Sequence, residues 1–495
     1  MSKQFDLAEF DKYREDNRLE VKKAKGGLPV SLWDTYSAFA NCYGGAIILG
    51  VVENKDKSWR TTGLLSSETE KLIKEFWDTV NNPNKVSANL LKDDDVKTYI
   101  ENDDLIIVIE VPRAKRTEKP IYINNNLFNG TFRRNGEGDY HCSRKEILGM
   151  LRDEAEDTPD MRVINEMPID VINKETLAAF RSRHTLLRRE HVWKDLPDKD
   201  YLERIGAIAL GEDKQFHPTV AGLLMFGEEY KILREYPEYF LDFREMLDPA
   251  IRWTDRLQSM SGDWTGNLFD FFFRIYPKLI KDVKIPFKLM SDGLTRDEDT
   301  PVHKAIREAL VNCVVNADFH FSRGIIVLKD PDSLTFENPG SIRPGKAQML
   351  KGGLSDPRNK TLLKMFNMIG IGERAGSGVP DIYKVWADEG WEAPVVKEEF
   401  GNDRTLLVLS FRKKQAIKTS DKKQAIKTSD KKTTIKTQQH IKNIIEYLNN
   451  TGESNISDIA VNIGLSEVRT RAIIAKIESI EALGGNRNRT YRLKN

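Results

Sequence analysis

A chain of 495 residues is too long for one hydrophobic core, because single domains usually hold roughly 100–200 residues. Its 77 Lys and Arg nearly balance its 76 Asp and Glu, so net charge neither indicates nor excludes a nucleic-acid partner. The three cysteines are widely spaced and form no Cys-x-x-Cys pair, which excludes a disulfide framework and a thiolate zinc site.

The N-terminal residues lack the apolar core of a signal peptide. No apolar run approaches the ~20 residues that span a bilayer. We therefore expect a cytoplasmic, multidomain α/β protein with no membrane partner.

Residues 1–155 alternate helical and strand-like segments, with a helix over 28–41 and strands over 46–52, 105–111 and 130–134. This pattern predicts a compact α/β domain. Three carboxylates and one lysine stand out in it: Glu15, Glu20, Glu53 and Lys22. If the fold brings them to one sheet edge, they would bind a divalent metal or orient a phosphodiester. The alternative is that these acids belong to a solvated surface.

Residues 156–300 are mostly helical in pattern, with aromatic-rich strands predicted over 239–244 and 268–275. An apolar segment over 217–227 is closed by a glycine. We interpret this part as a connector or association region.

Residues 301–411 again mix a long helix, over 302–315, with strands over 325–328, 334–337 and 406–411. Glu308 and Asn312 stand four apart, on one face of the helix. They form either a functional pair or a buried polar cluster. No Gly-x4-Gly-Lys-Ser/Thr phosphate loop occurs anywhere in the chain, which argues against a motor helicase.

Residues 412–437 repeat themselves, since the nine residues at 413–421 recur at 422–430. The segment is basic and has isoleucine as its only large apolar residue, so it cannot bury enough surface to fold alone. It is either a solvated spacer or a tether that follows a phosphate backbone.

The tail, 438–495, has helices predicted over 438–449, 457–463 and 467–477, then strand, glycine-rich turn and strand over 480–493. This order resembles a winged helix. The resemblance implies that the third helix enters the DNA major groove and that the hairpin contacts phosphate or the minor groove. The expected contacts are Ser466, Arg469, Thr470 and Arg471 from the helix, with Arg487 and Arg489 from the hairpin. The alternative is a protein-association module.

The first domain resembles the Schlafen AlbA-type (divergent AAA-like) domain. The resemblance lies in Glu15-x4-Glu20-Val-Lys22, the segments 26–29 and 37–45, Gly50-Val and Arg133-Arg-Asn-Gly136. It implies nucleic-acid binding, and the Schlafen branch includes metal-dependent endoribonucleases. By that resemblance Glu15, Glu20 and Glu53 would hold Mg²⁺ or Mn²⁺, and Lys22 would stabilise charge on the phosphate. Val52 intervenes where the family more often places an aspartate.

The segment 301–411 resembles the GHKL ATP-binding fold of gyrase, heat-shock chaperones and histidine kinases, an α/β sandwich. The supporting motifs are 336–340, 356–360 and 372–378. By that resemblance Glu308 activates water, Asn312 holds Mg²⁺ under the phosphates of ATP, and Asp318, Gly376 and Gly378 complete the nucleotide site. The aspartate expected to read adenine is replaced by Glu337-Asn338.

The sequence supports three functional hypotheses. The leading one is a nucleic-acid-binding regulatory protein, a DNA-binding transcriptional regulator with an ATP-responsive domain. The second is a metal-dependent nuclease acting on RNA or DNA, and the third is an assembly scaffold. A homo-oligomer is predicted in each case, because linked copies of a weak binding domain gain affinity.

Overall fold

The computed structural model describes residues 18–493, apart from 56, 102–103, 282, 284–299, 373–375, 400–402, 415–442, 464–466, 475–476, 478, 484 and 486–488. Contacts divide the chain into two units, Met1–Lys414 and Gln415–Asn495. The predicted linker over 412–437 lies outside the described residues from 415 onward. Within the described ranges, no helix combines the length and apolar character needed to cross a membrane.

A four-stranded sheet forms the centre of the N-terminal domain, in the order β1-β2-β6-β5. β1 runs parallel to β2, and the other neighbours are antiparallel. The strands of this domain, including two separate hairpins, are β1 Leu19–Lys22, β2 Gly45–Leu49, β3 Val51–Glu53, β4 Trp59–Thr61, β5 Val96–Glu101, β6 Asp104–Val111, β7 Phe132–Asn135 and β8 Gly138–His141. The helices are α1 Leu32–Asn41, α2 Ser66–Val80 and α3 Arg144–Glu154.

Most residues of β2 and β6 are aliphatic, so their side chains need to be buried on both faces of the sheet. Both faces are covered by other parts of the domain. Ile47 and Ile109 pack in the cluster that includes α1 and α2, while Ile48 and Val108 pack on the opposite face. Gly44 precedes β2 with φ of +70°, and a Cβ there would lie 2.9 Å from the carbonyl oxygen of Val111. Only glycine fits this turn into the strand.

Asn41 fixes the C-terminal end of α1 to the loops around it. Its side-chain amide donates to the carbonyl oxygens of Ile121 (2.8 Å) and Phe132 (3.0 Å), and its Oδ1 accepts from the backbone N–H of Ile121. Ser37 adds a hydrogen bond to the Ile121 carbonyl. The segment 37–41 noted in the sequence therefore has a structural role, since it satisfies buried backbone groups.

The middle of the chain, residues 156–280, is built from short helices and strands. They are α4 Lys174–Leu187, α5 Asp198–Ile205, β9 Ile208–Leu210, β10 Phe216–Pro218, α6 Val220–Phe226, α7 Glu229–Glu235, β11 Leu241–Glu245, β12 Asp255–Gln258 and α8 Leu268–Ile280. The buried apolar segment predicted over 217–227 is mainly the helix α6, with every side chain from Val220 to Phe226 buried.

A six-stranded sheet organises the rest of the first unit, in the order β12-β11-β13-β14-β16-β15. Its later elements are α9 Pro301–Val315, β13 Ile325–Asp330, β14 Ser333–Pro339, α10 Lys346–Lys351, α11 Lys360–Met368, α12 Gly378–Asp388, β15 Val395–Glu399 and β16 Arg404–Ser410. In this sheet β11 and β13 pair in parallel, and the other neighbouring strands are antiparallel.

The boundary predicted at 300 does not separate two structural units. β11 and β12 precede it but belong to the same sheet as β13–β16, and one hydrophobic cluster extends from Ile164 to Leu409. The region 156–300 is therefore not a mere connector. The sequence pattern missed this because strand pairing between β11 and β13 is a long-range contact.

The strand predicted over 268–275 is wrong, because these residues begin α8. Asn267 caps the helix by accepting a hydrogen bond from the backbone N–H of Asp270 at 2.9 Å. Phe269, Phe272 and Phe273 then follow at helical spacing, and Phe272 packs on Phe366. Phenylalanine has an intrinsic preference for β-strands, but the packing of this helix on the rest of the domain outweighs that preference.

The second unit has its own small core. The helix α13, over 443–451, precedes β17 Glu453–Asn455, α14 Ile456–Ile463, α15 Glu467–Ile474, β18 Ile480–Leu483 and β19 Thr490–Leu493. The three strands pair in the order β17-β19-β18. Ile444, Leu448, Ile459 and Tyr491 are among the buried residues that join helices and sheet. β17 was absent from the sequence-based prediction.

Candidate functional site

A large cavity lies between the six-stranded sheet and α9, with about 1040 Å³ of empty space. β14 and β16 contribute its floor through Phe336 and Leu407, and Leu363 of α11 adds to the apolar lining. This space includes a part open to solvent, and its apolar lining with a few polar groups suits a small organic ligand such as a nucleotide.

Glu308 and Asn312 both line this cavity. They lie one turn apart because they are four residues apart on α9. Thr300 caps the start of this helix and Pro301 occupies its first turn. The Asn312 amide donates to Glu308 Oε1 at 3.0 Å. This hydrogen bond leaves the Asn312 side-chain carbonyl oxygen as the type of ligand that a hard divalent cation takes.

Gly376 and Gly378 line the cavity at the start of α12, and Gly378 lies directly beside Glu308. Gly376 has φ of +68°, and a Cβ there would lie 2.7 Å from the backbone nitrogen of Leu354. A Cβ on Gly378 would overlap Glu308 Oε1 and lie 2.7 Å from its Cδ. Gly378 therefore gives Glu308 the space that it occupies, whereas Gly376 allows close approach to the Leu354 backbone. Residues 373–375 of the same motif lie outside the described residues.

Two uncharged side chains, Asn338 and Cys313, also line the cavity. Asn338 stands on β14 where the GHKL pattern has an aspartate, and its amide donates to the Pro339 carbonyl oxygen at 3.1 Å. Glu337 points away to an ion pair with Arg404 at 3.1 Å. Burial raises the pKa of the Cys313 thiol to about 12, so this cysteine is a neutral part of the lining.

Asp318 was predicted to belong to the nucleotide site, but it does not line the cavity. It is 4% exposed and pairs with Arg152 of α3 at 2.9 Å and with His320 at 3.0 Å. Burial favours its neutral form, but the His320 hydrogen bond and the charges of Arg358 and Arg152 hold the pKa well below its usual range. Asp318 thus joins the N-terminal domain to the body.

The cavity rim contacts the N-terminal domain directly through residues that sequence reasoning did not assign. Asp356 lines the cavity and accepts from Arg116 Nε at 2.6 Å. Arg358 donates to both oxygens of Asp153 at 2.9 and 2.6 Å. The motif 356–360 was visible in the sequence, but its partners lie more than 200 residues away.

In the N-terminal domain, Glu20 is 8% exposed and lies between two cations. Its Oε1 accepts from Lys22 at 2.7 Å and its Oε2 from Arg134 at 2.7 Å, and Arg134 continues to Asp139 at 2.9 Å. Arg134 was noted only as part of a motif. The structure makes it the partner that neutralises Glu20.

The predicted trio of carboxylates is only partly described. Glu15 lies outside the described residues, and Glu53 pairs with Lys57 at 3.2 Å. Across the described residues, no group of three or more His, Cys, Asp or Glu side chains is placed to hold a metal ion.

The predicted DNA-contact residues of the tail fall into three classes. Ser466, Arg487 and the side chain of Arg469 lie outside the described part of the chain. Arg471 and Arg489 are exposed. Thr470 is fully buried at 0% exposure, so the face predicted to contact DNA does not include it. The helix period turns Thr470 towards the core, next to Ile473 and Ile474 in sequence.

Comparison with known families identifies three segments. Residues 15–143 match the family described as "Schlafen, AlbA_2". Residues 325–408 match "Putative ATP-dependent DNA helicase recG C-terminal", and residues 148–242 match a domain of unknown function. No curated protein is significantly similar to the chain in sequence.

Two solved structures are similar to the chain or to a part of it. The DIP2311 protein from Corynebacterium diphtheriae is 16% identical over 97% of this chain and 92% of its own, with a TM-score of 0.40. The second, titled as the N-terminal domain of a "Putative ATP-dependent DNA Helicase RecG-related Protein" from Nitrosomonas europaea, is 28% identical. That match covers 28% of this chain and 90% of the domain, with a TM-score of 0.22.

The family matches cover the first site and part of the second. The first sheet with its Glu20 cluster falls within the residues matched to the Schlafen family, and nearly all of strands β13–β16 falls within the helicase-related match, whereas α9 with Glu308 and Asn312 precedes that match. The protein is therefore an α/β multidomain chain with a Schlafen AlbA_2 domain over residues 15–143 and a GHKL-like domain over residues 325–408 that matches the recG C-terminal family.

Proposed function

We propose that this protein is a nucleic-acid-binding regulatory protein, a DNA-binding transcriptional regulator whose GHKL-like domain responds to ATP. The observation that carries the proposal is the Arg116–Asp356 ion pair. It connects the AlbA_2 domain to the rim of the nucleotide-sized cavity. A ligand in the cavity would meet a residue that holds the N-terminal domain in place.

ATP with Mg²⁺ is the ligand that the cavity supports best. The apolar floor would take the base, and Glu308 and Asn312 lie together on the helix that faces the phosphates in proteins of this fold. Mg²⁺ would be held by the Asn312 carbonyl oxygen, the type of hard oxygen ligand that this ion prefers. Bound Mg²⁺ would offset the phosphate charge.

DNA is the proposed nucleic acid because the tail supports a winged-helix arrangement. The order helix, strand, helix, helix, strand, strand with an antiparallel three-stranded sheet supports this proposal. Exposed Arg471 and Arg489 supply cationic groups for phosphates or base edges. The name of one matched family, which refers to a DNA helicase, supports the same assignment.

Calorimetric titration of the full-length protein with ATP and Mg²⁺ tests the nucleotide part. We expect one site per chain and at least a tenfold loss of affinity in Asn312→Ala. Lys384→Ala, an exposed position on α12, is the matched control and should bind as the wild type does. Absence of heat with ATP for folded wild-type protein would reject an ATP-responsive domain.

A metal-dependent nuclease centred on Glu20 is less well supported. Both oxygens of Glu20 already accept hydrogen bonds from Lys22 and Arg134, so a metal ion would have to displace a cation. Incubation with transfer RNA and duplex DNA, with Mn²⁺ or with chelator, decides this. Metal-dependent cleavage that Glu20→Gln abolishes would replace our proposal with a nuclease.

Self-association is a further part of the proposal, since two linked tails would bind paired DNA half-sites more tightly than one. Light scattering after size exclusion measures the mass directly. A mass of one chain at micromolar concentration, with or without DNA, would remove this part alone.

A further inference from the structure

A second cavity, with about 770 Å³ of empty space, lies between the AlbA_2 domain and the body. It is lined from the first side by Asn41, Cys42 and the 113–119 segment, and from the other by residues 340–343. Neither matched domain contains it whole, because its lining comes from both. It is separate from the cavity beside Glu308 but shares the wall formed by Ser341, Ile342 and Arg343.

The lining carries more cationic than anionic side chains, seven Arg and Lys against five carboxylates. Two of the carboxylates are already neutralised. Glu398 accepts from Arg113 at 2.6 and 3.0 Å and from the backbone N–H of Ile342, and Asp153 accepts twice from Arg358. Arg116 and Arg404 pair with Asp356 and Glu337, which lie outside the lining, so the feature that an anion would satisfy is the set of N–H donors without acceptors rather than a net charge.

Three of the lining arginines, Arg133, Arg343 and Arg404, carry buried N–H groups that make no hydrogen bond within the described residues. Arg404 is 4% exposed; its Nε and Nη1 bind Glu337 and the Gly324 carbonyl oxygen, but Nη2 has no such acceptor. Arg133 lies 3.0 Å from Glu146, yet its Nε and Nη1 also lack a hydrogen bond. Buried donors without acceptors are rare in folded proteins and each one needs an explanation.

One wall of the cavity is apolar, which an inorganic anion alone would not require. Phe321 and Met150 lie on it. The Phe321 ring packs so closely on α3 that a Cβ on Gly149 would lie 2.7 Å from Phe321 Cζ. A cavity with an apolar wall and a few converging cations is typical of a site for a small organic anion.

We propose that this interdomain cavity binds a small phosphate-bearing anion, whose oxygens accept from Arg133 Nη1 and Arg404 Nη2 and whose organic part lies against Phe321. Guanidinium groups suit this role because their planar N–H donors match the oxygens of a phosphate. The ligand would bridge the two parts of the chain. This site does not depend on ATP binding in the other cavity.

The protonation of two lining residues makes the proposed binding sensitive to pH. Burial, with the nearby charge of Arg113, lowers the pKa of Lys119 to about 7. Burial and repulsion from Glu146, offset in part by Arg133 and Lys145, raise the pKa of Asp403 to about 7. The other groups facing this pair are Cys42, Glu398, Asp153 and Asp318. Below pH 7 Lys119 is charged and Asp403 neutral, and both states favour an anion.

Sulfate is the first probe, because its charge does not change between pH 6 and pH 8. Calorimetric titration of the full-length protein at constant ionic strength, with chloride as the comparison, should show one sulfate site. We expect the affinity to fall at least tenfold from pH 6 to pH 8. Arg133→Gln should lower it at least tenfold at pH 6, whereas Arg144→Gln, an exposed position on α3, should not.

Adenosine monophosphate and inorganic phosphate then distinguish the two sources of the anion. Tighter binding of the nucleotide, lost in Arg133→Gln, identifies an organic phosphate; equal binding of both identifies free phosphate. Lys119→Gln is a second variant in case Arg133→Gln fails to fold, as judged by circular dichroism. Sulfate binding no tighter than chloride, or binding that survives substitution in the folded variants, would overturn the proposal.

Discussion

Arg116 of the AlbA_2 domain donates to Asp356, 240 residues further along the chain, over 2.6 Å. Asp356 also lines the nucleotide-sized cavity. Arg116 Nη1 donates at the end of α3, to the carbonyl oxygens of Asp153 and Ala155 at 2.8 and 3.1 Å. One side chain therefore connects the C-terminal end of α3, the N-terminal domain and the cavity rim.

Arg116→Ala should destabilise the protein and weaken ATP binding together. The substitution leaves half-buried Asp356 with Arg343, at 3.8 Å, as its remaining ion-pair partner and removes donors from the last carbonyls of α3, which should cost about 2–3 kcal/mol of unfolding free energy. The less well neutralised Asp356 would also repel the phosphates of ATP. Urea unfolding and calorimetric titration measure the two effects.

The control for this substitution is Lys115→Ala, whose side chain is exposed next to Arg116 in the chain. It should change neither quantity by more than about 0.5 kcal/mol, the usual range for surface positions. If Arg116→Ala lowered stability but left ATP affinity intact, the ion pair would be structural only, and the proposed coupling between domain and cavity would be refuted.

Gly378→Ala should weaken nucleotide binding without destabilising the fold. Alanine is favoured over glycine in a helix by about 1 kcal/mol, so an open site would gain stability. Here the added Cβ would overlap the Glu308 carboxylate and force that side chain to move. We expect at least a tenfold loss of ATP affinity at nearly unchanged thermal stability. Gly485→Ala, where a Cβ meets nothing within 4 Å, is the matched control; equal ATP binding in both variants would contradict the steric argument.

What the sequence could predict depended on how far apart in the chain the contacting residues lie. The helix α9 and the pairing of Glu308 with Asn312 follow from local periodicity, and the cavity does contain both residues. Asp318 looked equivalent, because it follows the same helix, but partners from α3 draw its carboxylate elsewhere. The role of Arg134 beside Glu20 also required the fold, since 114 residues separate them. Local pattern gave element type and motif, while long-range ion pairs decided which side chains share a site.

Asp318→Asn should reduce stability in a pH-dependent manner and leave ATP affinity unchanged. The pKa of Asp318 is held below its usual range in the folded state, so its charge stabilises the protein at any pH above the unfolded value of about 4. That contribution is lost as pH falls from about 5 towards the folded pKa, because the unfolded state then binds the proton first.

We expect the variant to lose about 2 kcal/mol at pH 7, with the difference from wild type shrinking steadily below pH 4. Denaturant midpoints measured from pH 7 to pH 3 provide the test, and Asp388→Asn, at an exposed position, is the control. A difference that stayed constant over this range would show that the carboxylate charge is not what stabilises the contact with α3. A loss of ATP affinity would return Asp318 to the nucleotide site.

Arg471→Ala should weaken DNA binding in a way that reveals what the side chain contacts. Arg471 is exposed on α15, the third helix of the tail. If it contacts a base edge, the substitution should cost about 1–3 kcal/mol for a preferred sequence and little for others. If it contacts phosphate only, affinity should fall evenly and the slope of log affinity against log salt should drop by about 1. Fluorescence anisotropy with specific and random duplexes, at several salt concentrations, separates the two cases.

Arg492→Ala provides the control, because Arg492 is paired with Glu481 at 2.7 Å on the hairpin. Identical affinities for wild type and Arg471→Ala at every salt concentration would exclude α15 as a DNA-contacting helix and leave the tail as a protein-association module.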